Sequence, residues 1–244
     1  MNLEYLEYPV ELEIRRGGRG GGRSISGKFG LSGGKLRRYA TMRNRGKRRK
    51  EMIDKRAFRW SLRMFKQMKD DLDKLLKEGA AKQAVEEATE ALSRRNIHIL
   101  AGHSFDKPLG SLMAGTATIK LIEDEADPRL EFSVDLPDSE EDWPSHVSDT
   151  VKSIEMGLVG GVSPGFLMPD PKVVKNAEEF IPEPGNEEVL IRKINEAVLV
   201  ELSLVTRPAY SQSEVTARED EEQEEGDTDR QHDFDDMQRH YVWL

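Results

Sequence analysis

A chain of 244 residues with 36% hydrophobic and 34% charged side chains can bury one real core, with polar appendages outside it. It has no cysteine, which excludes a disulfide framework and a cysteine nucleophile and suits a reducing compartment. No apolar run approaches the roughly 20 residues that span a bilayer, and the acidic start of the chain lacks a signal-peptide pattern, so no membrane partner is expected.

The net charge of −9 hides two opposite ends. Residues 1–67 carry 19 Lys and Arg against six Asp and Glu, while residues 214–244 carry three against 12. The ends could attract each other, meet separate partners, or be solvated surface.

Val10, Leu12 and Ile14 alternate with charged residues, which predicts a half-buried strand. The Gly/Arg-rich run 16–22 predicts a loop; it is short and has no interleaved aromatic, so nucleic acid is not the expected partner. Residues 24–29 and 36–42 read as further strands, before the cationic stretch 43–56. Phe58, Leu62, Phe65, Leu72, Leu75 and Leu76 then recur at helical spacing, and Ala84, Val85, Ala88 and Leu92 continue it. One long helix is expected, or two broken near Gly79, with its apolar stripe packed on the core or on a neighbouring subunit.

Residues 96–102 and 110–123 read as strands joined by a loop that carries His103, and 130–136 as another. Val147, Val151, Ile154 and Leu158 fall on one helix face, ended by Gly157. A strand with Ser163 follows, then a Pro-rich loop over 169–184, then strands over 189–194 and 197–205. The acidic run 219–229 predicts a disordered tail. Many short strands without βαβ alternation point to a mostly antiparallel sheet closed into a barrel, with flanking helices.

Three apolar segments each deliver one polar residue: His103 in the first, Ser163 in the second, Glu201 in the third. A serine hydroxyl becomes nucleophilic when an imidazole takes its proton, and a carboxylate fixes the imidazole tautomer. Gly161 and Gly165 flank Ser163 and would let a substrate backbone approach; the plainer reading is a turn serine that caps local backbone groups. Pro164 has no N–H, so oxyanion donors must come from other amides or a water. His98 competes with His103, although its alternating position suggests a packed histidine. Strict alternation puts Glu201 on one strand face with Leu199, Ser203 and Val205, opposite Val198, Val200, Leu202 and Leu204. A carboxylate among aliphatic neighbours needs a partner, either an imidazolium or an arginine such as Arg207.

The wording around these residues is more specific. The runs Gly102-His103-Ser104-Phe105-Asp106-Lys107-Pro108-Leu109-Gly110, Val162-Ser163-Pro164-Gly165-Phe166 and Glu201-Leu202-Ser203-Leu204-Val205-Thr206-Arg207-Pro208-Ala209-Tyr210 closely resemble motifs of the prohead proteases of tailed phages. Less tightly, Ile25-Ser26-Gly27-Lys28-Phe29 resembles that family's early strand and glycine turn. Glu51-Met52-Ile53-Asp54-Lys55-Arg56-Ala57-Phe58 is similar to a second stretch, with Arg56 where a glycine is usual. Residues 66–94 and the tail have no clear counterpart.

The resemblance implies a serine endopeptidase that trims scaffold and capsid protein, and itself, inside the immature head in the host cytoplasm. It implies an α+β chain with an antiparallel β-barrel core wrapped by helices, as in the herpesvirus assembly proteases. Residues 1–213 would form the protease domain, 66–94 a helical insertion and 214–244 an acidic tail. Ser163 would be the nucleophile, His103 the general base and Glu201 the third member, with His98 or His146 as substitutes for the last. Self-association would accompany the capsid and scaffold substrates. No metal site or cofactor is expected: the five histidines are scattered, and the glycine tract fits neither a P-loop nor a dinucleotide fingerprint. The competing reading is a non-catalytic head-assembly protein on the same barrel.

Overall fold

The computed structural model describes residues 4–5, 8–9, 12–16, 23–33, 40–44, 47–183 and 186–206. The Gly/Arg loop beyond residue 16, the acidic tail and Arg207 therefore lie outside the described residues.

The elements in chain order are β1 (Glu4–Tyr5), β2 (Tyr8–Pro9), β3 (Leu12–Arg16), β4 (Arg23–Gly30), β5 (Ala40–Asn44), β6 (Lys47–Ile53), α1 (Arg59–Lys77), α2 (Lys82–Ser93) and β7 (His98–Ala101). Then follow β8 (Ser104–Ser111), β9 (Ala117–Ile122), β10 (Arg129–Asp135), α3 (Ser145–Glu155), β11 (Gly161–Leu167), β12 (Glu178–Glu183), β13 (Asn186–Ile194) and β14 (Val198–Val205). They form three sheets. The first runs β1-β11-β14-β7-β8, with β2 also paired to β11; the second runs β3-β4-β10-β9 and the third β12-β13-β6-β5.

The fold is mixed α+β, and its sheets are not closed into the expected barrel. Closure requires hydrogen-bonded pairing of the edges, and among the described residues neither β8 nor β9 pairs across to the other sheet. The first two sheets instead share one core. Ile25, Phe29, Leu130, Phe132 and Val134 come from one, and Ile99, Val162, Phe166, Leu202 and Leu204 from the other. Phe58, just before α1, packs edge-on against Phe166 with ring centroids 5.9 Å apart.

Gly27 is no turn residue. It lies mid-strand opposite Phe132, and a Cβ there would stand 2.7 Å from that ring. Arg56 replaces a glycine without strain, because the non-glycine residues with positive φ among those described are His103 and Asn176.

The helical pattern resolves into two helices broken at Gly79, whose φ of +66° is the left-handed conformation that ends a helix. Phe65, Leu72 and Leu92 make a small core of their own against Leu112 and Met113. In α3, Val147 and Val151 are buried, but Leu158 falls beyond the helix end and is exposed.

Two expected loops are strands. Residues 104–111 form β8, an edge strand that tolerates Pro108 at a register shift. The Pro-rich stretch contains β12, also an edge. The cationic stretch 43–56 holds most of the hairpin β5–β6, where charge hides any alternation from a sequence reading. Glu51 of β6 is paired in register with Arg192 of β13, and both are buried. Arg192 reaches Glu51 at 3.5 Å and Glu178 at 2.5 Å.

Candidate active site

β11 and β14 run antiparallel, with Ser163 opposite Ser203 and Gly165 opposite Glu201. Period-two alternation puts these four residues on one face, because Val162 and Phe166 point from the other into the core. Here the strict-alternation reading of β14 needs correction. The step Gly165–Phe166 on β11 faces the step Glu201–Leu199 on β14, so Val200 is one residue too many and forms a bulge. Leu199 therefore joins Leu202 and Leu204 in the main core, whereas Val198 and Val200 pack with Leu167 in a separate cluster. Glu201 and Ser203, on the regularly paired side of the bulge, face away from that core together with Ser163.

β7 is the next strand, parallel to β14. Gly102 and His103 make the two-residue turn into β8, with φ of +63° and +61°. Successive left-handed residues suit a tight hairpin; glycine adopts them freely, but a histidine must be held there. Two bonds hold it. Gly102 N–H donates to the Leu204 carbonyl at 3.0 Å, and His103 N–H donates to Ser203 Oγ at 3.0 Å.

The His103 ring reaches Glu201, with Nδ1 2.8 Å from Oε1. The Glu201 side chain has no exposed surface and that of His103 has 9%. An ionised carboxylate has no proton to give, so Nδ1–H donates and Nε2 is left as the basic nitrogen. The other carboxylate oxygen, Oε2, accepts from Ser203 Oγ at 2.5 Å. A buried carboxylate is thus paired at both oxygens, as its desolvation demands. Ser163 is fully buried, and its hydroxyl makes no hydrogen bond among the described residues.

Among the described residues, the other two histidines have different polar partners. His98 sits edge-on to Phe105 at 5.8 Å and 3.2 Å from the Asn96 amide; burial pushes its pKa below the usual value. His146 Nε2 donates to the Pro108 carbonyl at 2.8 Å. A cleft of about 580 Å³ opens beside His103, between α3 and the end of β14, and Lys107, His146, Asp149, Ser153 and Val205 line it. Among the described residues no group of three or more His, Asp or Glu is arranged to hold a metal ion, and no helix is long and apolar enough to cross a membrane.

Ser203 was not a candidate on sequence grounds. The signal was there in the Glu-x-Ser spacing, which puts both side chains on one strand face.

A buried carboxylate that holds a histidine, and a serine on that carboxylate's sheet face, are components of serine-nucleophile chemistry, although no hydrogen bond joins Ser163 to His103. Residues 62–227 match the family model of the caudovirus prohead serine proteases. The chain belongs to that family and is a serine endopeptidase of phage prohead maturation. No curated protein and no solved structure matches the chain.

Proposed function

We propose that this chain cuts scaffold or capsid protein, and its own chain, inside the immature head with Ser163 as nucleophile, His103 as general base and Glu201 as orienting acid. The observation that carries the reading is the 2.8 Å contact of Glu201 with Nδ1 of a histidine in a left-handed turn. That contact sets the tautomer in which Nε2 can accept a proton.

In this reading Ser163 Oγ attacks the scissile carbonyl carbon while His103 Nε2 takes the hydroxyl proton. Glu201 stabilises the resulting imidazolium. Collapse of the tetrahedral intermediate breaks the C–N bond, and Nε2 returns the proton to the departing amine. A water then repeats the sequence on the acyl-enzyme, releasing the new carboxylate and regenerating Ser163. Pro164 donates nothing to the oxyanion. Since Ser163 has no exposed surface, an opening at this face precedes acylation.

The test is co-expression with the neighbouring capsid and scaffold proteins, wild type beside Ser163→Ala, read by intact mass. Discrete fragments that depend on Ser163 support the proposal. Identical masses with normal particles would favour a non-catalytic assembly role.

A further inference from the structure

The hydroxyl of Ser203 touches both of the groups that flank the proposed base. It donates to Glu201 Oε2 at 2.5 Å and accepts from the backbone N–H of His103 at 3.0 Å. We propose that Ser203 is a positioning residue, whose single hydroxyl locks the Glu201 carboxylate and the His103 turn into one register. The inference rests on the Ser163–His103–Glu201 reading and adds to it a residue that acts through two of its members.

Three features argue for more than a satisfied core serine. First, a hydroxyl has one proton, and its donation to the carboxylate commits the oxygen lone pairs to acceptance; the His103 amide takes one of them. Second, His103 is a non-glycine residue at φ +61°, a conformation that persists when its surroundings over-determine it, and Ser203 is one of the two anchors of that turn. Third, Glu201 Oε2 lies in a site without water access, so an unmet lone pair there would favour a protonated or rotated carboxyl. A protonated Glu201 could not stabilise an imidazolium. The unbroken pairing of Ser163 with Ser203 and of Gly165 with Glu201 puts Glu201 and Ser203 together on the face of Ser163.

The experiment uses the full chain as wild type, Ser203→Ala, Ser203→Cys and Ser163→Ala, each checked for folding by circular dichroism. Phosphonylation by a small fluorophosphonate is followed by intact mass. The Nδ1–H proton of His103, which reports the contact with Glu201, is observed in parallel by NMR, which needs no turnover. Ser203→Ala is expected to label about 10–100-fold more slowly, as loss of one hydrogen bond to a charged group implies. Its His103 Nδ1–H resonance should shift, because Glu201 Oε2 loses its donor and the carboxylate is free to rotate. Ser203→Cys, of similar size but with a weaker donor, should fall between, and it decides the matter if Ser203→Ala does not fold. Wild-type rates with an unmoved His103 Nδ1–H resonance in the folded variant would overturn the proposal. Labelling that persists in Ser163→Ala would instead overturn the underlying site reading, whatever Ser203 does.

Discussion

The carboxylate of Glu201 occupies the space where residue 165 would carry a side chain: a Cβ on Gly165 would stand 2.1 Å from Oε1. The glycine two residues after Ser163 is therefore a seat for the acid, explained by contact rather than by backbone freedom. Gly165→Ala should fold but displace Glu201 from His103. Since misplacement by about 1 Å costs on the order of 100-fold in rate, cleavage of co-expressed substrate should be nearly lost. Normal cleavage by this variant would show that the Glu201–His103 contact is not used.

Glu201→Gln tests the same contact without a cavity. The amide keeps the volume but lets Nδ1 accept instead of donate, which puts the proton on the wrong imidazole nitrogen. Loss of about four orders of magnitude is expected, against about six for Ser163→Ala. Fluorophosphonate labelling rates would distinguish the two.

His98 gives a prediction about stability with the opposite consequence for activity. Burial lowers its pKa in the folded protein. The unfolded chain then binds the proton more readily, so the stability that depends on a neutral His98 is full above the unfolded value near about 6.5 and is lost as pH falls below it. Urea unfolding at pH 5, 6 and 7 should show a shallower pH slope for His98→Gln than for wild type, by at most about 1.4 kcal/mol per pH unit. The variant should still cleave. Loss of cleavage with an intact fold would revive His98 as a member of the site.

Arg192 ties β13 to β6 and β12 through Glu51 and Glu178. Its removal as Arg192→Ala leaves Glu51 as a buried carboxylate without this partner. Breaking a buried pair from one side costs about 3–5 kcal/mol, which for a chain of this size corresponds to a Tm lower by about 6–20 °C. A double variant, Arg192→Met with Glu51→Leu, should recover much of that loss. A Tm unchanged in Arg192→Ala would mean that the third sheet does not depend on the pair.

The sequence by itself determined the local elements wherever apolar residues alternate or recur without interruption. Strands β4, β10 and β14 and the helices on either side of Gly79 were legible for that reason, as were the three segments that hold His103, Ser163 and Glu201. Charge and proline concealed the hairpin β5–β6 and the edge strands β8 and β12, because an edge strand is stabilised by backbone pairing that tolerates either. Tertiary structure alone decided that the sheets stay open instead of closing into a barrel, since edge pairing is a long-range choice that local periodicity does not encode. It also decided the face of Leu199. Strict alternation grouped it with Glu201, and one unpaired residue, Val200, separates them. A bulge depends on the count of residues in two strands about 35 positions apart, Gly165 and Glu201 among them. What brings Ser203 and Glu201 beside a left-handed histidine is the pairing of β14 with β7, through contacts 100 and 98 positions apart in the chain.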